Sequence, residues 1–218
     1  MQDFFYKSTA MKTNLIILAA CVLVFTACNN HIKKIIVYAN NEADINEEAK
    51  TVTQKDTVGH LDKTIQYSTG DKVLLKTKSL AGETTIDIPE DGYYIVNLKA
   101  KDTIIGGYQK YATPGEANRV MTQADLLRNI DSLQQMIENK NISTANRTFF
   151  ILPNTSAKIT ANTEATIVGP YRRMTSIAKE GDKDPEVYRF YSITEVRETI
   201  AKLKPLTVGA PATENEKK

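Results

Sequence analysis

The chain has 218 residues and a formal net charge of +2, with 41% hydrophobic and 25% charged residues. This composition is typical of a folded chain, and the length suits one domain, alone or with a tether. A nucleic-acid-binding domain usually carries a strongly basic face. The near balance of charge therefore argues against a nucleic-acid partner.

An apolar run from Leu15 to Ala27 comes first along the chain. As a helix, its roughly 13 residues would span only ~20 Å, which is less than the ~30 Å hydrocarbon core of a bilayer. The run therefore predicts the apolar part of a cleaved signal peptide over residues 1–27, with Lys12 as its positive flank. Met11 is the expected start of translation, preceded by an upstream extension.

The apolar run ends in Phe25-Thr26-Ala27-Cys28. These residues resemble the lipobox of type II bacterial signal peptides, in a Bacteroidota-like form, although Leu is commonest where Phe25 stands. The resemblance implies that the Cys28 sulfur carries a diacylglycerol, that the signal is cut before Cys28 and that the new amino terminus is acylated. It covers residues 11–28. The alternative is an ordinary secretory signal that ends in a Cys by chance.

The cysteine count favours lipidation. Cys21 leaves with the signal peptide, so Cys28 is the only thiol of the expected mature chain. A lone Cys in a secreted protein needs an explanation, and lipidation supplies one. Because two or three acyl chains anchor a protein stably, the first expected partner is a lipid bilayer, reached through acylated Cys28.

The residues after Cys28 bear on location. They are Asn29-Asn30-His31, with Lys33-Lys34 just beyond, and they include no acidic run. An acidic run at this place resembles the surface-export signal of Bacteroidota-type lipoproteins. Its absence favours a lipid-anchored position in the cell envelope, at the outer membrane and facing the periplasm. An envelope protein or a glycan is the further partner expected there.

Three parts are expected in the mature chain. Residues 28–60 are expected to form the lipidated and partly flexible segment, residues 61–204 an α+β domain, and residues 205–218 a disordered tail. Within the first part, Ile32–Ala39 is rich in β-branched residues and predicts a strand. Residues 40–55 are polar and acidic and predict a loop or a solvated helix.

A β-meander is predicted in the first half of the domain. Pro89–Gly92 is a strong turn, because Pro presets φ and Gly accepts a positive φ. Leu80–Glu83 predicts a second turn, and Gly106-Gly107 has the composition of a two-residue hairpin turn. Successive hairpins imply antiparallel pairing. The predicted strands are 72–76, 84–88, 93–99, 102–105 and 108–111.

A change of period predicts an amphipathic helix from Thr122 to Lys140, with apolar residues at four-, three- and four-residue spacing. Thr122 and Asp125 form an acidic variant of the capping box, and Asn139 and Asn141 are predicted to end the helix. Further strands are predicted at 149–152, 157–161, 165–168 and 188–191.

A second amphipathic helix is predicted after Ser192, which forms a capping box with Glu195. Pro205 is expected to end this helix. Strands, helix, strands and helix follow one another along the chain. The predicted fold class is therefore α+β, an antiparallel β-meander with hairpins and two amphipathic helices packed on the sheet.

The sequence holds no recognisable catalytic motif. It lacks the Gly-x-Ser-x-Gly elbow, the P-loop and the dinucleotide-binding glycine pattern. The two histidines, His31 and His60, have no metal-ligand spacing, so neither a metal nor a cofactor is expected. The carboxylates between Glu180 and Glu186 lack the calcium-loop pattern and predict a solvated loop.

Tyrosine and arginine residues near the C-terminus are candidates for a binding face, because such residues are favoured at binding hot spots. The alternative is cross-strand pairing on a solvent-exposed sheet face. The candidate face comprises Tyr171, Arg172, Arg173, Tyr188, Arg189 and Tyr191.

The expected function is a membrane-anchored, non-enzymatic binding or structural module. Catalysis needs poised acids, bases or metals, and the usual suppliers are missing. Two alternatives stay open. An envelope hydrolase could use paired carboxylates with His60 as a helper, and an apolar pocket with two converging carboxylates would favour it. A subunit of an envelope complex would expose an uncovered apolar patch.

Overall fold

The computed structural model describes residues 31–40, 42–55, 58–79, 82–110, 122–140, 142–173 and 184–208. The chain divides into two compact units, Met1–His31 and Ile32–Lys218, and every described strand and helix lies in the second. The predicted signal peptide, Cys28 and residues 209–218 lie outside the described residues.

The described residues of the second unit form three four-stranded sheets and two helices. The central sheet contains β1 (Ile32–Ala39), β4 (Leu61–Ser68), β7 (Gly92–Asn97) and β10 (Thr155–Thr160), in the order β10-β7-β1-β4. The N-terminal sheet contains β2 (Asp44–Asn46), β3 (Thr51–Thr53), β5 (Val73–Ser79) and β6 (Gly82–Ile88), in the order β2-β3-β5-β6. The C-terminal sheet contains β8 (Ile104–Tyr108), β9 (Thr148–Ile151), β11 (Thr166–Val168) and β12 (Val187–Ser192), in the order β11-β12-β8-β9. The helices are α1 (Gln123–Ile137) and α2 (Ile193–Val208).

Three apolar cores hold these elements together in layers. The first lies between the N-terminal sheet and one face of the central sheet, where Leu75 meets Val37 and Val96. The second lies between the other face of the central sheet and the C-terminal sheet, around Ile95 and Phe190. In the third core, both helices pack on the far face of the C-terminal sheet. The α+β class and the helices packed on a sheet are therefore as predicted.

The central sheet is covered on both faces, which explains its composition. Along β1, Ile35 and Val37 enter the first core, whereas Ile36 and Tyr38 enter the second. All six residues of β7 are buried. Strands that are buried on both sides need apolar residues at nearly every position, and β1 and β7 have them.

The sheets are mixed rather than wholly antiparallel. The hairpin of β5 and β6 is antiparallel. Ile86 and Ile88 lie two residues apart on β6, so both point to the same face and enter the first core. Three pairs are parallel, namely β1 with β7, β3 with β5, and β11 with β12. Parallel strands need crossover connections, and the adjacency of such distant segments leaves no local signal in a sequence.

The first helix begins and ends where its sequence predicts. The Thr122 hydroxyl accepts a hydrogen bond from the Asp125 N–H, and the Asp125 carboxylate accepts one from the Thr122 N–H, so the capping box is complete. The helix ends at Ile137, and Asn139 adopts a positive φ of 55°, as expected of a residue just past a helix end.

Neither described helix is long and apolar enough to cross a membrane.

The second helix follows β12 without a loop and runs further than predicted. Ser192 accepts a hydrogen bond of 3.0 Å from the Glu195 N–H, which is half of the predicted capping box. The helix continues through Pro205 to Val208, so residues 205–208, predicted to begin a disordered tail, are helical. The Thr207 hydroxyl satisfies the Lys204 carbonyl at this end, and Gln123 of α1 donates to the Thr207 carbonyl. These bonds satisfy two of the carbonyl groups that the end of a helix leaves without intrahelical donors.

The folded unit also begins earlier than predicted. The segment 28–60, expected to be partly flexible, supplies β1 to the central sheet and β2 and β3 to the N-terminal sheet. The last two occupy the stretch for which a loop or a solvated helix was predicted, and Val52 of β3 is fully buried. The strand β4 was not predicted. In β2 and β3, tertiary packing outweighs the polar composition.

The hairpin turn predicted at Gly106-Gly107 is wrong, because both glycines lie inside β8. A Cβ atom at Gly106 would fall 2.7 Å from the Phe190 Cα of β12, and closer still to the Arg189 carbonyl oxygen. At Gly107 it would fall 3.1 Å from the Thr148 Cα of β9. The glycines therefore serve the close approach of neighbouring strands and not a turn.

Candidate functional site

A cleft lies at one edge of the central and C-terminal sheets. The strands β1 and β7 run parallel, so their C-terminal ends meet at this edge, and β4 begins there because it pairs antiparallel with β1. The C-terminal end of β12 contributes Ser192, at the start of α2. The side chains that matter for its chemistry are Tyr38, His60, Lys99, Asp102, Tyr171 and Ser192.

Two stacked rings cover the cleft. The ring centroids of His60 and Tyr171 are 3.9 Å apart, with 24° between the planes. The Tyr171 hydroxyl lies 2.7 Å from the Ser192 Oγ, and the Tyr171 N–H donates to the Glu195 carboxylate over 3.1 Å. Tyr171 is thus fixed at its ring, its hydroxyl and its backbone, while 41% of its surface stays exposed.

Lys99 lies against the imidazole of His60. Its Nζ donates to the Gly59 carbonyl over 3.1 Å and also contacts the His60 Nδ1. Burial, together with the charge of Lys99, holds the pKa of His60 below its ordinary value. Burial likewise lowers the pKa of Lys99. A neutral imidazole whose Nδ1 accepts from the ammonium group is consistent with the lowered pKa of His60.

Tyr38 forms the inner wall of the cleft. Its side chain is buried, and this burial, reinforced by the charge of Asp62, raises the pKa of its hydroxyl. The ring reaches Gly169, where an added Cβ would overlap the phenol. The glycine therefore lets the loop after β11 close over Tyr38.

Two ion pairs fix the loop that carries Tyr171. Arg172 donates to the Asp62 carboxylate over 2.6 Å at the solvent-exposed rim. Arg189, which is 6% exposed, donates to the Gly169 carbonyl over 2.8 Å and lies 3.6 Å from the Glu195 carboxylate. The buried pair resists solvent screening better than the exposed one.

The structure separates the six residues of the predicted Tyr/Arg face. Arg172 lies at the cleft with Tyr171, and the neighbouring Arg173 is exposed. Tyr188 is 1% exposed and belongs to the second core, whereas Tyr191 packs on the third. Alternation along β12 sends Tyr188 and Arg189 to opposite faces of the C-terminal sheet. The six side chains therefore do not form one exposed surface.

A second polar cluster surrounds Glu186. Its carboxylate accepts hydrogen bonds from the Tyr188 hydroxyl over 2.7 Å and from Thr160 and Asn162 over 2.9 Å each, and it pairs with Arg147. Burial alone would raise its pKa, but the hydrogen bonds and Arg147 outweigh burial and lower the pKa. With these donors in place, the carboxylate stabilises the fold at this point.

Metal binding finds no support in the part of the chain that the structure describes. No group of three histidine, cysteine, aspartate or glutamate side chains there could hold an ion. Of the predicted carboxylate loop, Glu180 and Asp182 lie outside the described residues.

Two carboxylates, Asp62 and Asp102, do line the cleft, together with the apolar side chains of Leu61, Ile104 and Pro170. The cavity that remains has a volume of about 20 Å³. Because one water molecule needs roughly 10–15 Å³ on this measure, the closed cleft has room for little more than a water molecule.

Most of the cleft was missed at the level of sequence. Ser192 was predicted only as a helix cap, and His60 only as a possible helper of a hydrolase. The signals for Lys99 and Asp102 are their places just after a strand end and just before the next strand. The connection that carries them meets His60 because β1 pairs in parallel with β7, and no local pattern indicates this pairing.

No protein family, no curated protein and no solved structure matches this chain.

Proposed function

We propose that this chain is a lipid-anchored envelope protein whose α+β domain binds a partner at the cleft, without catalysing a reaction. One observation favours binding over catalysis: four polar groups of the cleft are engaged with one another. Lys99 contacts the Nδ1 of His60, and the Ser192 Oγ lies against the Tyr171 hydroxyl. With about 20 Å³ of free space, a partner would have to meet the cleft at its surface or displace a side chain.

The anchor would be short. Three residues separate Cys28 from Ile32, the first residue of β1. Fully extended, four residue steps reach at most ~14 Å. If Cys28 is acylated, the start of β1 therefore stays close to the bilayer surface.

The cleft lies at the other end of β1, next to Tyr38. With a rise of about 3.3 Å per residue, the eight residues of this strand cover roughly 23 Å. We therefore expect the cleft to face away from the membrane. At the periplasmic face of an outer membrane, it would meet periplasmic proteins or glycans.

Mass spectrometry of the N-terminal peptide tests the anchor. The wild-type peptide is expected to begin at Cys28 and to carry the mass of a diacylglycerol and an N-linked acyl chain. A Cys28→Ser variant is expected to lose these additions, whereas the matched control Cys21→Ser keeps them, since Cys21 leaves with the signal. A free Cys28 thiol in a soluble wild-type product would contradict the proposal.

Cross-linking of the membrane-bound protein in its native envelope tests the binding role. An Arg172→Glu substitution reverses a charge at the cleft rim, and Arg128→Glu makes the same change on the exposed side of α1. We expect cross-linked products that Arg172→Glu loses and Arg128→Glu retains. Products that survive both substitutions would place binding elsewhere on the domain.

The hydrolase alternative has its own observation, namely that both Asp62 and Asp102 line the cleft. A glycosidase uses two carboxylates on opposite sides of the scissile bond. Release of reducing sugar from envelope glycan by the wild-type protein, abolished by Asp102→Asn, would replace the binding proposal. Arg172 already engages Asp62 in an ion pair at the rim of the cleft.

A further inference from the structure

We propose that the Tyr171 side chain is a removable plug, and that the socket beneath it takes a phenol ring from a ligand. This inference rests on the binding role proposed for the cleft and names the chemistry that the cleft would recognise.

The backbone at Tyr171 is held against its own preference. Its φ is +61°, in the left-handed region that bulky residues rarely enter. Residues in such conformations persist only where their surroundings hold them, and they concentrate at ligand clamps and switches. Here the surroundings are the stacked ring of His60, the Ser192 Oγ and the Glu195 carboxylate. Release of Tyr171 would break these contacts and relieve the backbone strain together.

The socket does not depend on Tyr171 for its shape. Ser192 and Ile104 are each 1% exposed, and Tyr38 is 5% exposed. They lie on β12, β8 and β1, which are paired strands of two packed sheets. These walls therefore stay in place when the Tyr171 ring leaves, and the space of one phenol ring opens between them.

The contacts of Tyr171 define the ligand. A flat ring would stack on His60, and a hydroxyl at its far end would reach the Ser192 Oγ. The Lys99 ammonium lies 5.8 Å from the Tyr171 ring centroid, within the reach of a cation–π interaction. Leu61, Ile104 and Pro170 add apolar walls, which favour an aromatic ring over a sugar. A para-substituted phenol meets all these conditions, whether it comes from a tyrosine of a partner polypeptide or from a small molecule.

Calorimetric titration with p-cresol tests the plug. The apparent affinity of a site falls in proportion to the fraction of molecules in which it is open. If the wild-type socket is open in less than a tenth of the molecules, Tyr171→Ala is expected to bind p-cresol at least tenfold more tightly than the wild type. Toluene, which lacks the hydroxyl, is expected to bind this variant at least tenfold more weakly than p-cresol does.

The matched control is Tyr67→Ala, which removes a half-buried tyrosine that packs against the first core, away from the cleft. It is expected to bind p-cresol no better than the wild type. The proposal is overturned if Tyr171→Ala shows no saturable binding of p-cresol, if toluene binds equally well, or if Tyr67→Ala gains the same affinity. Because the ligands are compared on one variant, a general loosening of the fold cannot imitate the preference for p-cresol.

N-acetyltyrosinamide distinguishes the two sources of the ring. Tighter binding than p-cresol supports a tyrosine of a polypeptide, whereas weaker binding supports a small phenol. The cross-links that depend on Arg172 keep this test separate from the proposed function. If these cross-links form but Tyr171→Ala does not bind p-cresol, the proposal that Tyr171 is a removable plug is refuted and the binding role stands.

Discussion

Replacing Gly106 tests the assignment of this residue to the interior of β8. The Cβ of Gly106→Ala would lie 2.7 Å from the Phe190 Cα and closer to the Arg189 carbonyl oxygen, both in the backbone of β12. Carbon atoms in good contact are ~3.5–4.0 Å apart, so the two strands would have to separate by roughly 1 Å. Overpacking of a core costs about 1–3 kcal/mol and occasionally more. Because backbone has to move here, we expect a loss of about 3 kcal/mol or more.

Urea denaturation of the purified protein, followed by far-UV circular dichroism, measures this loss. The control is Ile105→Val on the same strand, where removal of one buried methylene should cost only about 0.5–1.5 kcal/mol. Gly106→Asn adds a second arm, since Asn suits a two-residue hairpin turn but not a crowded strand. If Gly106→Ala and Gly106→Asn both unfold within about 0.5 kcal/mol of the wild type, the range expected of a neutral surface site, the reasoning from strand crowding is refuted.

Three further predictions use the same unfolding assay. Leu75→Ala should lower the free energy of unfolding by about 2–5 kcal/mol, because Leu75 is fully buried. Leu74→Ala should lower it by less than about 1 kcal/mol, because Leu74 is 39% exposed. Equal losses for the two variants would contradict the alternation of β5. Thr122→Ala should cost about 1 kcal/mol through loss of the helix cap, and an unchanged stability would remove the capping box from the account of α1. The pKa of His60 is lower in the folded state than its ordinary 6.5. As the pH falls, the unfolded chain therefore takes up this proton at a higher pH than the folded chain does. The free energy of unfolding should then decrease from about pH 6.5 down through the lowered pKa. His60→Gln should flatten this dependence, and an unaltered slope would show that other groups cause it.

Local patterns predicted the helices better than the sheets. The cap of α1 and the stop at Asn139 are encoded by neighbouring residues, and the structure has both. By contrast, β4 lies in a polar stretch in which Leu61, Ile65 and Tyr67 alternate with polar side chains. This period-2 alternation is a strand signal, although β4 was not predicted from it. The mixed order of the sheets could not be predicted, because parallel partners such as β1 and β7 are joined by long crossovers.

The cleft was hard to predict for the same reason. His60 precedes β4, Lys99 follows β7 and Ser192 ends β12. They meet at one edge through the parallel pairing of β1 with β7 and the packing of the C-terminal sheet on the central sheet. The Tyr/Arg pattern around Tyr171 led to part of the site. It could not show that Tyr188 faces a core, because the C-terminal sheet is covered on both faces and exposure cannot be inferred from residue type alone.

The position of β1 in the fold has a consequence for the proposed anchor. A tether can lengthen when the first residues of a domain fray, but β1 lies between two partner strands and both of its faces enter a core. Near its start, the buried Lys33 donates to the Thr69 carbonyl over 2.8 Å and pairs with Asp91 over 2.9 Å. Fraying past this point would break this ion pair and expose buried apolar side chains of β1, such as Ile35, to water. If Cys28 is acylated as proposed, the reach of the anchor would therefore be set by the three residues between Cys28 and Ile32, and only insertion of residues before Ile32 would extend it.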